Sequence, residues 1–196
     1  MPERERRGTA IVGMAALFPG APDLESYRKN LEAGADAIRD VPPERWDPVF
    51  YDPSSSAPDR LYCKRGGFLP APQRFDALSF GIMPVAAQGA EPDQLLALEV
   101  AARALADAGY ADRPFARERA SVILGRGGYL TPGVARLDQR VRAAEQLVQS
   151  LRALLPDLDE AQLAAVRAEL QSELGPFGAD TAIGLVPNLA ASRIAN

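Results

Sequence analysis

The sequence predicts an α/β fold, and three observations carry that prediction. Two short apolar runs, "TAIVGM" (9–14) and "ASVILG" (120–125), read as buried strands. Other segments repeat their apolar residues at spacings of three and four, the period of amphipathic helices. Glycines, prolines and capping side chains stand at the joints between the two kinds of segment.

The first run leads into "FPGAPD". Asp23 is placed to cap a helix starting at Leu24, with Leu24, Tyr27 and Leu31 on one face and Gly34 as its stop. Residues Asp40 to Pro72 are rich in proline, serine and aspartate. No long helix fits there, because each proline removes a donor and restricts its predecessor. Trp46, Phe50 and Tyr51 instead predict a long ordered loop pinned by aromatic anchors. "LYCKRGGFL" reads as a short hairpin with Gly66 and Gly67 at its turn.

"EPDQLLALEVAARALADAG" is the clearest helix. Pro92 suits the first helical position, Asp93 the positive end, and Gly109 the stop. Leu95, Leu98, Ala102 and Leu105 form one face, and Leu96 and Val100 widen it, which predicts burial on more than one side. After the second strand and "GRGGYLTPG", a helix is predicted from about Pro132 to Leu155, with a heptad stripe running from Val134 through Val141 and Val148 to Leu155. Pro156 breaks it. Asp159 and Gln162 make a capping box for another helix, in which Leu163, Val166, Leu170 and Leu174 share a face before Gly175 and Pro176 end it. Residues 132–175 therefore read as an antiparallel helical hairpin inserted between a strand and the final helix. A coiled-coil dimer is the alternative to the two stripes packing on each other or on the body. "LVPNLAASRIAN" opens a last helix.

Composition excludes several functions. The net charge is −4, so no basic field attracts nucleic acid or an anionic membrane. The arginines of "ERERR" alternate with acids, and residues 1–7 read as a flexible tail. No apolar run approaches the roughly 20 residues of a membrane span. A single cysteine, Cys63, allows no internal disulfide and points to a reducing, cytoplasmic home. There is no histidine. That removes Ser-His-Asp and Cys-His chemistry and any histidine-bearing metal site, and no metal is expected.

The remaining candidates are weak. "GRGGYL", Gly125 to Leu130, lies between a strand and a helix, the context of a phosphate-binding turn. The dinucleotide fingerprint fails because Leu130 stands at its third glycine. A tight connection is favoured, and a nucleotide-binding module ranks last. Cys63 stands beside Lys64 and Arg65, which would favour its thiolate. Without a base, a thiol of no chemical role is the favoured reading. Asp157 and Asp159 read as caps, and Glu91 and Asp93 as parts of a helix start, so no carboxylate dyad is expected.

Several stretches in order resemble the N-terminal portion of the β-ketoacyl synthase domain of type I polyketide synthases and related polyunsaturated fatty acid synthases. They are "AIVGMAALFPGAPDLESYRKNLEAGADAIRDVPPERWDPVFYDP", "YCKRGGFL", "FDALSFGIMP", "EPDQLLALEVAARALADAG" and "LVPNLAASRIAN", together covering about residues 8–196. The resemblance implies a thiolase-like fold, here incomplete, within a homodimeric parent enzyme. It implies decarboxylative Claisen condensation of acyl chains carried on the phosphopantetheine of an acyl carrier protein, with no cofactor bound by this chain directly. The family's nucleophilic cysteine lies just downstream of the "SRIAN" helix, and its two histidines lie in the second half. None has a counterpart here, so no catalytic residue is carried over. The loop Gly125, Arg126, Gly127, Gly128 and Tyr129 is the one segment assigned near the substrate channel.

The expectation is a fragment inactive alone, whose partners are the remainder of the ketosynthase, in cis or in trans, and an acyl carrier protein. The alternative is a non-catalytic docking piece that binds a complementary subunit, with the hairpin as the candidate surface. Three departures from the family pattern bear on substrate and subfamily. Ala16-Leu17 stand where many relatives have Cys-Arg, "IMP" replaces "ISP", and "AEPDQ" replaces Met-Asp-Pro-Gln-Gln.

Overall fold

The computed structural model describes residues 8–69, 75–127 and 130–196. The chain divides into two compact units. One holds residues up to 75 together with 99–116, and the other holds 76–98 and 117–196.

In the first unit, helix α1 (Leu24–Ala33) begins where the Asp23 carboxylate accepts a hydrogen bond from the Ser26 amide at 2.7 Å. That bond holds the Asp23 carboxyl below its ordinary range. Gly34 ends the helix with φ 62°, a left-handed conformation that costs glycine little. Asn30 donates to the Gly20 carbonyl at 2.9 Å, and the Phe18 ring lies 4.5 Å from Tyr27. The "FPG" turn is thereby tied to the face of α1.

The sheet differs from expectation. Strand β1 (Ile38–Asp40) pairs antiparallel with β2 (Arg65–Gly67), Ile38 opposite Gly67. Gly66 and Gly67 are therefore strand residues and not the turn of a local hairpin. Close approach explains one of them, since a Cβ on Gly67 would lie 2.9 Å from the Pro19 ring. Side chains reinforce the pairing: Arg65 donates to the Ile38 carbonyl at 3.0 Å, and Lys64 meets Asp40 at 2.9 Å. The intervening loop has 3₁₀ turns at Pro43–Arg45 and Pro48–Phe50, and of its three expected aromatic anchors Phe50 is exposed. The Trp46 and Tyr51 rings meet edge-on at 5.6 Å.

The second unit contains α2 (Pro84–Gln88), the first half of α3 (Pro92–Asp107), α4 (Pro132–Asp138), α5 (Ala144–Leu154), α6 (Glu160–Glu173), α7 (Ala179–Gly184) and α8 (Leu189–Ala195). The second half of α3 belongs to the first unit. There Asp107 accepts the Met14 amide at 2.8 Å, and Arg103 donates to the Pro22 carbonyl at 3.1 Å. A Cβ on Gly13 would collide with the Ala104 carbonyl, so the segment around residue 13 runs hard against the helix.

A π-helical turn, Gln139–Ala143, joins α4 to α5 without a break. α5 and α6 pack as a pair around Ala144, Val148 and Leu163, each no more than 2 % exposed. The expected capping box is present, Asp159 accepting from the Gln162 amide and the Gln162 side chain accepting from the Asp159 amide. Arg140, in the π turn, donates to the carbonyls of Gln171 and Gly175, and Gln171 returns a bond to the Arg140 carbonyl at 2.9 Å. The carbonyls at the end of α6 thus gain a cationic partner.

Three further sequence expectations are corrected. Neither 9–14 nor 120–125 forms ladder pairs among the described residues. Ile11, Val12 and Ile123 stay 79 %, 71 % and 94 % exposed. Apolar runs report a capacity for burial in a sheet, but a strand also needs a neighbour to take its amides. Second, α3 is not buried all round: only Gln94 and Leu98 are buried, and Leu105 is exposed. Third, the heptad stripe is interrupted, with Val141 and Leu155 exposed. The π turn takes more residues per turn than the heptad assumes, which turns Val141 away from the seam. No helix among the described residues is long and apolar enough to cross a membrane.

Two outcomes are expected. Leu163→Ala opens a cavity where α5 meets α6 and costs about 2–5 kcal/mol, read as a lower urea midpoint at unchanged m. Glu145 accepts from Gln149 and from Arg167 across the hairpin, and these contacts hold its carboxyl below the ordinary value. Its contribution is complete above that ordinary range and is lost as pH falls through the depressed value. The stability difference between wild type and Glu145→Gln, measured by urea unfolding from pH 7 downward, should therefore shrink in acid. A constant difference would rule the linkage out.

Candidate functional site

The polar interior of the second unit is concentrated in one helical turn. Glu91 and Gln94, at the start of α3, are the buried polar residues among those described, at 3 % and 0 % exposure. Pro92 permits the start because its missing N–H falls where a helix has none to use. Glu91 and the first-turn residues Asp93 and Gln94 then reach three different parts of the chain.

Glu91 Oε1 accepts from the Thr131 hydroxyl at 2.8 Å and from the Gly133 amide at 3.1 Å. Thr131 is itself the N-cap of α4, accepting from the Val134 amide. A carboxylate therefore sits against the first amides of the long helical run, where negative charge is favoured. Gly133 is required there, because a Cβ would strike Glu91 and lie 2.5 Å from Leu185. Both carboxylate oxygens of Asp93 accept from one edge of the Arg126 guanidinium, at 2.5 and 3.0 Å. Gln94 Nε2 donates to the Gly184 carbonyl at 2.8 Å and the Val186 carbonyl at 3.3 Å. Its Oε1 is buried and has no hydrogen-bond partner among the described residues. Beside it α2 and α7 meet backbone to backbone: a Cβ on Gly89 would lie 2.8 Å from the Asp180 carbonyl group, and one on Gly184 would strike Gly89.

Of the loop expected near the substrate channel, Arg126 is held by Asp93 and half-buried. Gly125 and Gly127 are exposed. Gly128 and Tyr129 lie outside the described residues. The structure thus joins one loop residue to the start of α3. The sequence marks Glu91 and Asp93 as parts of a helix start and singles out no role for Gln94. Their cross-chain reach has one visible signal, the density of polar residues in "EPDQ" ahead of a strongly apolar helix.

In the first unit, Cys63 is exposed. Its Sγ accepts from the Arg65 amide at 3.4 Å. The neighbouring cations are engaged elsewhere: Lys64 with Asp40, which raises the ammonium pKa, and Arg65 with the Ile38 carbonyl. An open groove of about 470 Å³ is lined by Met14, Asp23, Arg28, Arg103 and Asp107. Its charges serve the local structure: Arg28 pairs with Glu25 and Glu32, and Arg103 pairs with Glu99. Among the described residues no group of His, Cys, Asp and Glu is arranged to hold a metal.

The chain has relatives of known kind. Residues 7–158 match the sequence model of the β-ketoacyl synthase N-terminal domain. Polyketide synthase PksN of Bacillus subtilis is 42 % identical over 120 residues, 60 % of this chain and 2 % of that protein. The PKS-NRPS hybrid synthetase acdB of Aspergillus candidus is 40 % identical over 118 residues, 59 % of this chain and 5 % of that protein. Among solved structures, the oxazolomycin ketosynthase domain OzmH KS7 of Streptomyces albus is 38 % identical, covering 50 % of this chain and 17 % of that one, with a TM-score of 0.47. The ketosynthase from module 6 of the bacillaene synthase of Bacillus subtilis is 39 % identical, covering 51 % and 16 %, with a TM-score of 0.45. The chain therefore spans a small part of the length of each relative. The motif "LVPNLAASRIAN" lies beyond the matched residues 7–158. The fold is that of the N-terminal part of the α/β, thiolase-like ketosynthases, as the motif series predicted. The match over most of the chain, at about two-fifths identity to polyketide synthases, makes this chain a member of the β-ketoacyl synthase family, within its N-terminal domain.

Proposed function

We propose that this chain supplies the N-terminal portion of a polyketide synthase ketosynthase, whose complete domain performs decarboxylative Claisen condensation of acyl chains held on an acyl carrier protein. The match over residues 7–158 carries this reading. In the condensation, a cysteine thiolate of the complete domain accepts the acyl chain from the carrier's phosphopantetheine. Imidazoles assist loss of CO₂ from the malonyl-type extender, and the resulting carbanion attacks the acyl-cysteine thioester, forming the carbon–carbon bond as the C–S bond breaks and the cysteine thiolate leaves. No histidine occurs in these 196 residues, and the one thiol, Cys63, is exposed on the first unit beside cations already paired. The chain's part is architectural. It carries the loop 125–129 toward the substrate channel and the helix α8 toward the nucleophile segment. The parent is a cytoplasmic homodimer, residues 8–196 belong to its ketosynthase domain, and 132–175 are an insertion in it.

Two segments with the composition of buried strands support a need for further chain. Ile11, Val12 and Ile123 lie open to solvent, and neither segment has a ladder partner among the described residues. Exposed apolar strand sequence is a ready site for pairing with more sheet. A second reading rests on the α5–α6 hairpin, whose Leu147 and Leu154 are exposed. In that reading the chain is a non-catalytic piece that docks a complementary subunit through these helices.

The pure chain, incubated with acylated and malonylated carrier proteins, should give no condensed product by mass spectrometry. Adding the remainder of a ketosynthase domain with its cysteine and histidines should restore product. Turnover by the chain alone, or catalytic acylation of Cys63, would sink the proposal. Restoration that disappears in Leu147→Glu/Leu154→Glu but survives Ile11→Glu/Ile123→Glu would favour docking through the hairpin.

A further inference from the structure

We infer that Gln94 is a positioning residue: its side-chain amide fixes the connection between α7 and α8 and thereby the placement of α8. The link to catalysis, though not the positioning itself, rests on the function proposed above, in which α8 leads to the nucleophile segment.

The geometry leaves the amide little choice. Gln94 is fully buried, and its side chain crosses about ninety residues of sequence to reach the α7–α8 connection. The two groups it faces, the carbonyls of Gly184 and Val186, are both acceptors. Only the NH₂ end of the amide can stand there, so the orientation is decided by its partners. Gly184 O belongs to the last residue of α7, whose terminal carbonyls have no partner within the helix. Val186 O lies two residues further along, before α8 begins at Leu189. One NH₂ group thus holds both sides of Leu185, the residue whose side chain abuts Gly133. Ala190, one residue into α8, is 1 % exposed, so α8 is seated as well as tethered.

The same amide leaves Oε1 buried and unpaired among the described residues. A buried unpaired acceptor is unfavourable, and an apolar side chain of similar length would avoid it. A side chain chosen for packing alone would have no reason to carry that oxygen. The two donated bonds are what the amide supplies and an apolar side chain cannot.

Two substitutions separate positioning from packing. Gln94→Met keeps length and removes the donor. Gln94→Glu keeps shape and makes the donor conditional: the protonated acid donates one O–H to a carbonyl, and the carboxylate donates nothing and faces two carbonyl dipoles. Burial and those carbonyls raise the carboxyl pKa of the folded variant. The bond is therefore present below the unfolded carboxyl pKa and is lost as pH rises through the folded one.

The readout is amide hydrogen exchange of the 196-residue chain, as protection factors in α8 relative to α6 in the same molecule. Gln94→Met should lower α8 protection about tenfold, the scale set by loss of buried hydrogen bonds, at every pH, with α6 unchanged. Gln94→Glu, with one donated bond in place of two, should lie between wild type and Gln94→Met at acid pH and fall to the methionine level or below at neutral pH. Wild-type α8 protection in Gln94→Met, or a Gln94→Glu profile flat with pH, would overturn the proposal. If Gln94→Met unfolds, the glutamate profile decides alone.

Reconstitution with the complementary ketosynthase half then tests the catalytic link. Gln94→Glu should lower kcat reversibly as pH rises beyond the wild-type change, with little effect on KM. An unchanged kcat with lost α8 protection would overturn the link and keep the positioning. Inactivity of the wild-type reconstitution would count against the proposed function, and the exchange result would stand independently.

Discussion

The first turn of α3 is the constraint on which the second unit depends. Glu91, Asp93 and Gln94 lie within four residues, and each holds a different segment: 131–133, Arg126 and 184–186. Successive residues on a helix point in different directions, about 100° apart. A single turn can therefore bind several chain segments at once, provided each side chain ends in a group that recognises its target. A cluster of leucines would fill the same volume, but it would not distinguish a carbonyl from an amide or one register from the next. The polar groups are expensive to bury, and Gln94 Oε1, unpaired among the described residues, records part of that cost. Specific geometry is what they provide in return.

Small residues make this arrangement possible. Gly133 admits the Glu91 carboxylate to the start of α4, and Gly89 and Gly184 let α2 and α7 touch through their backbones. At Gly133 the need for glycine follows from occupied space, since a methyl group there would displace both a carboxylate and the Leu185 side chain. Directional polar contacts and missing side chains act together: the first specify which segments meet, and the second let them come close enough to bond.

Much of the local structure was legible in the residues. The caps at Asp23 and Asp159 act through nearby amides, and such contacts are written within three or four positions of sequence. The α5–α6 pair was legible because its period is local. What the sequence could not convey was partnership over distance. β2 pairs with residues 38–40, and nothing in "LYCKRGGFL" names them. The runs at 9–14 and 120–125 have strand composition, yet composition does not supply a neighbour. The heptad stripe failed at Val141 because a π turn is held by a contact from elsewhere, Arg140 with Gln171 and Gly175. The candidate site was legible only as a motif: "EPDQ" marked a helix start, and the targets of its side chains lie 33 to 92 residues away.

The α3 clamp at its start and the π turn in its interior solve a shared problem for one helical run. From Pro132 the chain runs helically to Leu154, and its start is fixed by Glu91 acting on Thr131 and Gly133. If the run were uniformly α-helical, that fixed start would dictate the rotation of every later residue, including those that meet α6. The π turn at 139–143 removes the coupling by changing the phase between the anchored start and the packed seam. Ala144 and Val148 then face Leu163 while Gly133 still faces Glu91. Such a turn leaves backbone groups poorly matched, and the Gln171 amide bonded to the Arg140 carbonyl satisfies one of them. The exposure of Val141 is thus the cost of meeting two packing demands with one helix.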